Sequence, residues 1–482
     1  MEAARAVLRE VFGHGAFREG QASAVSAALG GRDAIVVLPT GGGKSLCYQV
    51  PAVVLHRAGR GATVVVSPLI ALMEDQVRAL RDRGVAAVAL HSGQDAEAKR
   101  QAQRDAPGAA LIYVSPERLA LTGTRRWLDR IGVGLFAIDE AHCLSEWGHD
   151  FRKDYQRLHE LRDLWDAPVL ALTATATPRV VDELQTGLRL RDPVRVHGDF
   201  LRPNLRFVVE QHRGDKSRVA RVAEWLDRLG LGRRGTDGRA VVYAGTRKRV
   251  VAVAQDLRDR GYAVAHYHAG RTDSARANAQ DAFVEGKARV LVATTAFGMG
   301  IDLPDVRLVA HVSTPPTLES YVQQAGRAGR DRAEAWAVLL TAPGDVVTRK
   351  RVVKRPTPGE EAGWRAMLAY AGSTGCRQAR IADWFGVELG REGSCGVCDA
   401  CTDGAAVRAQ VEAATTDRRE RAEAAREQRA DEEARVLDDD QLDLVVELVR
   451  NLKKPVGKRL VALALRGSRS KPVKKAGLEG NP

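Results

Sequence analysis

Two α/β domains in tandem, each built on a parallel sheet, followed by a smaller helical module, are what this sequence predicts. Three observations carry that expectation. Short β-branched runs alternate with helical text through the first 345 residues. Those runs are apolar throughout rather than alternating, as strands covered on both faces must be. After residue 345 the strand text stops and cysteines gather between positions 376 and 401.

In the first domain the runs are DAIVVL, ATVVVS, ALIYVS, VGLFAID and PVLALTAT, with helical segments such as LIALMEDQVRALRDRG between them. The second series is RAVVYAG, YAVAHYH, RVLVATT, VRLVAHV and AWAVLL, interrupted by the glycine- and arginine-rich RLGLGRRGTDGR, which reads as a surface loop. The two series join near FLRPNLRF. The boundaries expected are 1–207 and 208–345 for the two domains and 346–404 for the helical cysteine-bearing module. A charged linker at 405–437 is rich in Ala, Glu and Arg, either a solvated helix or a tether, and a partly apolar segment occupies 438–482.

The 482 residues exceed one ordinary domain, and a hydrophobic fraction of 44% suffices for packed cores. No apolar run reaches membrane-spanning length, and MEAARAVLREVFG places acids and arginines where a secretory signal needs an apolar stretch. A cytoplasmic, reducing setting is expected, with no membrane contact. The net charge of +13 favours a polyanionic partner. Cys47 and Cys143, in core-adjacent text, are expected to be buried and reduced.

LPTGGGKS at 38–45 lies between a strand and helical text. Thr40, Gly41, Gly42 and Gly43 form a turn whose backbone amides can converge on phosphate oxygens. Lys44 supplies a mobile charge for the terminal phosphates, and the Ser45 hydroxyl can ligate magnesium. Asp139 and Glu140 follow the apolar run VGLFAI. The first can hold magnesium, and the second can orient and deprotonate an attacking water. Arg327 and Arg330, in YVQQAGRAGRDR, are one helical turn apart and can supply positive charge to a phosphoryl transition state. ATP with Mg²⁺ between two domains is therefore the expected chemistry. Cys376, then Cys395, Cys398 and Cys401, offer four thiolates for a structural zinc, with an iron–sulfur cluster as the alternative.

In this order the motifs resemble those of RecQ-type DNA helicases of superfamily two, over about the first four hundred residues. The resemblance implies RecA-like motor domains, a zinc-binding subdomain and the start of a winged-helix domain. LREVFGHGAFREGQ at 8–21 is similar to the family's adenine motif, so Gln21 would read the base edge and Arg18 would stack on it. SPLIALMEDQV (Ser67) and YVSPERL (Ser115) resemble its strand-tracking motifs, and LTATAT (Thr173) the one coupling the domains. YAGTRKRV and VATTAFGMGIDLPDVR (Thr294) resemble the motifs of the second domain. WGHDFR after DEAH resembles the family's aromatic-rich loop. By that likeness Trp147, Phe151 and Arg152 would meet single-stranded DNA, with His142 and His149 as relays or loop anchors. Three positions depart from the pattern: Gln324 for Glu, Asp302 for Asn, and His14 for an aromatic ring.

The function implied is ATP-dependent 3′-to-5′ translocation on single-stranded DNA with duplex separation, in DNA repair or recombination. Forked DNA and a single-strand-binding protein would be partners, and a monomer the acting form. A DNA-stimulated translocase separating strands weakly is the alternative, because the winged-helix text stops before any hairpin. A DNA-binding protein with a vestigial motor, or an RNA helicase, fits the intact charged residues and the cysteine module less well.

Overall fold

The computed structural model describes residues 1–482 except 146, 148–151, 234, 298–302, 390–392, 435–438, 453–454, 469, 471–472, 475–477 and 479–482. The first sheet holds β1 (Ala34–Val37), β2 (Ala62–Val66), β3 (Ala87–Leu90), β4 (Leu111–Val114), β5 (Val133–Ile138), β6 (Val169–Thr173) and β7 (Val194–His197). Their order is β3-β4-β2-β5-β6-β1-β7. All of its pairings are parallel. The second holds β8 (Leu205–Gln211), β9 (Arg239–Tyr243), β10 (Val264–Tyr267), β11 (Val290–Ala293), β12 (Val306–His311) and β13 (Ala335–Thr341). Its order is β10-β11-β9-β12-β13-β8, again all parallel.

Parallel neighbours need a crossover, and the helices that make it cover both faces of each sheet. That is why β1, β2, β4 and β6 are buried at every residue. Every strand expected from the sequence is present. β3, β7 and β8 are additional. β8 begins inside the FLRPNLRF stretch expected to be only a connection, and pairs with β13 from Leu205↔Ala335 to Gln211↔Thr341.

Parallel order fixes the site, because loops that leave the carboxyl ends of adjacent strands meet. Ser115 follows β4, Ser67 follows β2, Asp139 follows β5, Thr173 closes β6, and the phosphate loop follows β1. In the sheet these strands are consecutive. Five separate motifs thus form one row.

The cysteine module packs on both domains. Phe385 stacks on Phe200 with ring centres 5.2 Å apart, and Trp384 Nε1 donates to Glu319 Oε1 at 2.8 Å. Residues 1–411 form one compact unit and 412–482 another. The charged stretch is helical over Gly404–Ala434. In the second unit the helices Asp439–Arg450 and Lys458–Leu465 share a small core of Leu448, Ala464, Val473 and Leu478. No helix among the described residues is long and apolar enough to cross a membrane.

Candidate functional site: a cleft between the two sheets

The phosphate loop turns because Gly41 and Gly43 adopt φ of 81° and 76°, a region costly for other residues. At Gly43 a Cβ would stand 2.5 Å from Gln21 Nε2 and would have to displace that amide from the loop. Several of the loop's carbonyls are tied down by side chains. Arg18 Nη1 donates to Gly41 O at 2.7 Å, and Gln21 Nε2 to Gly42 O and Gly43 O, both at 3.1 Å. Arg202 Nη1 donates to Thr40 O at 3.3 Å, and Lys44 Nζ to Leu38 O at 3.2 Å. Arg18 and Gln21 thus brace the loop in this conformation. Ser45 directly precedes the helix Leu46–Arg57 that the loop leads into, and its side chain makes no capping bond there.

Burial lowers the Lys44 pKa, while Glu140 and Asp139 oppose that shift and Arg330 adds to it. Asp139 shows the mirror effect: burial, then Glu140, raises its carboxyl to about 7, with Lys44 pulling back. A buried carboxylate in that condition fits a divalent cation, which supplies the charge its surroundings withhold. Its backbone is pinned, since Asp139 N donates to Val66 O at 2.8 Å and Tyr155 OH donates to Asp139 O at 2.9 Å. Glu140 adopts φ 47°, a left-handed conformation rare for a non-glycine residue. The turn places its Oε2 3.3 Å from His142 Nδ1, and the same nitrogen lies 2.9 Å from Thr173 Oγ1. His142 therefore stands between the acid and the end of β6.

The second domain closes the cleft. A Cβ on Gly326 would lie 3.0 Å from Thr40 Cβ, and one on Gly41 3.7 Å from Arg330 Cγ. Arg327 is buried, which lowers its pKa, with Tyr243 and more weakly Glu140 acting against the shift. Lys44, Asp139, Glu140, Arg327 and Arg330 are thus brought within electrostatic reach of one another. Beside them a pocket of about 360 Å³ is lined by Arg18, Thr40, Gly41, Arg202, Arg330 and Arg332, among others.

Of the aromatic loop, His149 and Phe151 lie outside the described residues, as does Asp302 of the second domain. Trp147 is half-buried, its N–H donating to Ser145 Oγ at 3.0 Å and its ring covered by Arg179 at 3.3 Å from the ring centre. Arg152 reaches back, with its N–H on Cys143 O at 2.8 Å and Nη1 3.5 Å from Pro68 O, beside Ser67. Ser67 is buried, and Ser115 Oγ accepts from Arg118 N at 3.4 Å. Thr294 follows β11, its N–H on Tyr267 O at 3.2 Å. Cys47 and Cys143 are buried, and burial pushes the Cys47 thiol up to about 12.

The sulfurs of Cys376, Cys395, Cys398 and Cys401 all lie within 4.8 Å of one another. A tetrahedral zinc with Zn–S near 2.3 Å separates its sulfurs by about 3.8 Å. Cys395 and Cys401 stand at 3.9 Å and Cys398 and Cys401 at 3.4 Å. Backbone N–H groups of Cys395 and Arg377 point at the sulfurs of Cys376 and Cys398, at 3.2 and 3.3 Å, as suits thiolates. The set converges on one centre, whereas an iron–sulfur cluster spreads its thiolates over several irons.

Sequence reasoning missed Arg202, Gln378 and His311. Arg202 and Gln378 act through contacts 162 to 176 positions away, which no local spacing announces.

Comparison with known proteins agrees with this geometry. Residues 18–184 match the DEAD/DEAH box helicase model, 221–332 the helicase conserved C-terminal domain, and 343–402 the RecQ zinc-binding domain. The chain is 40% identical over 408 residues to the ATP-dependent DNA helicase RecQ of Haemophilus influenzae, covering 83% of this chain and 64% of that protein. It is 35% identical over 481 residues to the Bacillus subtilis protein of the same name, covering 98% and 74%. The chain spans less than two thirds of the length of the Haemophilus protein and of its Pasteurella multocida counterpart. Among solved structures, Mycobacterium smegmatis Lhr bound to single-stranded DNA superposes with TM-score 0.56 at 20% identity, covering 76% of this chain and 49% of that one. S. cerevisiae Dbp5 bound to RNA gives 0.57 at 15%, covering 75% and 96%. Those two share the fold. Three domain models in order, and the extent of identity with the Bacillus protein, place the chain in the RecQ family of ATP-dependent DNA helicases.

Proposed function

We propose that the chain is an ATP-driven DNA motor that hydrolyses ATP much faster while a single strand occupies the aromatic loop, translocating 3′ to 5′ and separating duplexes. The observation that carries this is the facing of Lys44 and Glu140 on one wall by Arg330 and Arg327 on the other. Lys44 and the amides of Gly41 to Ser45 hold the phosphates, and Gln21 and Arg18 exchange their loop carbonyls for the adenine. Ser45 and Asp139 would hold Mg²⁺, which supplies charge neutralisation at the phosphates. Glu140 orients the attacking water and takes its proton. Arg327 and Arg330 meet the charge that develops on the transferred phosphoryl group.

Coupling follows from His142, whose Nδ1 meets Thr173 Oγ1 at 2.9 Å with Glu140 Oε2 3.3 Å away, and which stands a few residues from Trp147. A base stacked on Trp147 has a short path to the acid. Ser67, Ser115, Thr294 and Arg152 track the sugar–phosphate backbone. The motor boundaries at 207 and 345, the zinc as a structural ion, and a role in DNA repair or recombination belong to the same reading.

The test is ATP turnover with and without single-stranded DNA, followed by strand separation on 3′-tailed and blunt duplexes. Turnover should rise sharply with DNA and vanish in Lys44→Ala. Equal turnover without DNA would defeat the coupling.

A further inference from the structure

One arginine outside every motif above touches both walls of the cleft. Arg202 sits in the connection between the sheets. Its Nη1 donates to Thr40 O of the phosphate loop at 3.3 Å. Its Nη2 donates to Ala328 O at 2.8 Å and Gly329 O at 3.0 Å, in the segment between Arg327 and Arg330. Asn204, two residues on, donates to Gly329 O and Ala333 O at 2.8 and 2.9 Å. Gly329 has φ 61°, and a Cβ there would meet Asn204 Nδ2 at 2.5 Å, so the Asn204 side chain lies directly against the Gly329 backbone.

The backbone of Arg202 is itself held from a third direction. Buried Gln378 accepts from Arg202 N through Oε1 at 2.7 Å and donates Nε2 to Arg202 O at 2.9 Å and Leu205 O at 3.2 Å. Gln378 stands two residues after Cys376. Its neighbour Arg377 is buried in a two-pronged pair with Asp399, at 2.7 and 3.1 Å, and Asp399 accepts from Val209 N of β8 at 2.8 Å. Where Thr40, Arg202, Gly326 and Gln378 meet there is a cavity of about 30 Å³, room for a small relative movement.

We propose that Arg202 is a positioning residue for ATP hydrolysis, bracing the phosphate loop against the arginine segment, and that Gln378 makes the cysteine module part of that brace. This rests on the motor reading above. The Arg202 donors named are spent on carbonyls, so it acts on the spacing of the walls rather than as a phosphate ligand. Arg18, Arg330 and Arg332 surround it, and burial followed by their charge lowers its pKa to about 10, in keeping with a cation held there by its carbonyl partners. An interaction that matters when the walls close on the transition state appears in kcat, whereas ground-state binding appears in KM.

The experiment compares the zinc-loaded full chain with Arg202→Lys, Gln378→Met and the double variant, measuring kcat and KM for ATP at saturating single-stranded DNA. Lysine keeps the charge but not the fork that spans three carbonyls. Methionine keeps the volume and removes all three backbone bonds. Expected are a loss in kcat of about tenfold or more for Arg202→Lys and about threefold or more for Gln378→Met, with KM within about threefold. Zinc should stay at one per chain and nucleotide-free DNA affinity should be unchanged, and the double variant should be no slower than Arg202→Lys alone. An unchanged kcat in Gln378→Met, losses that multiply, a rise in KM alone, or loss of zinc from Gln378→Met would each overturn the brace. Absence of DNA-stimulated turnover in the unaltered chain would defeat the motor reading, and this inference with it.

Discussion

His311 ends β12 with its imidazole fully buried, Nε2 2.9 Å from Gln324 Oε1, the Tyr243 ring stacked at 5.2 Å and the Tyr321 ring edge-on at 5.1 Å. Burial holds its pKa down near 4, the hydrogen bond to Gln324 only partly opposing it. In the unfolded chain the same group titrates near 6.5. The folded form therefore binds fewer protons between these values, and stability is lost as pH falls from about 6.5 toward about 4. Linkage with those two values gives about 2 kcal/mol lost at pH 5 and almost nothing at pH 7.5. His311→Gln keeps an amide able to pair with Gln324 and removes the titration. The assay is hydrogen exchange of the β12 amides at the two pH values, because it reports opening of this sheet rather than of the whole chain. The unaltered chain should lose about 2 kcal/mol more protection than His311→Gln on going from pH 7.5 to 5. Equal pH dependence in the two proteins would refute a neutral, buried imidazole.

Other outcomes are equally specific. Gly359→Ala would set a Cβ 2.5 Å from Trp147 Cα and 2.8 Å from its carbonyl oxygen. Backbone cannot yield as a side chain end does, so a cost of about 1–3 kcal/mol is expected, with DNA stimulation reduced more than basal turnover. Trp147→Ala should keep basal hydrolysis and lose stimulation by DNA, since base–ring stacking is worth about 1–3 kcal/mol; unchanged stimulation would exclude the loop as sensor. Metal analysis should find one zinc per chain, and chelation should unfold the cysteine module first, seen as loss of exchange protection in Arg377–Trp384; a brown protein absorbing in the visible would mean iron–sulfur.

Most strands that could be read from the text are fully buried, as VVVS and LALT are, although β10, half-buried throughout, was legible too in YAVAHYH. β8 escaped because it is an edge strand of LRFVVEQ whose residues alternate between buried and half-buried, so its polar members read as connection. β3 is AVAL, half alanine, and β7 is VRVH with only Val196 buried. The nucleotide residues were legible because chemistry forces their local spacing: glycines before Lys44, acids paired at 139 and 140, arginines at 327 and 330. The left-handed turn at Glu140 was not, since nothing in DEAH announces a positive φ. Nor could Gln324 be foreseen as the partner of a buried imidazole, though its letter had stood out as a departure. The sequence marks a residue as unusual, while only the fold supplies what it faces.

The order of strands in the second sheet also bears on how the chain is made. β8 emerges first yet pairs only with β13, 130 positions later. At roughly 5–20 residues per second, a ribosome leaves that segment without its partner for about 7–26 seconds. In the first sheet β1 also waits, since it pairs with β6 and β7, 136 and 160 positions on, but that sheet is complete at His197. A nascent or prematurely ended product lacking β13 would therefore carry a finished amino-terminal lobe and an open, hydrogen-bond-hungry ribbon behind it, the species that chaperones would have to shield.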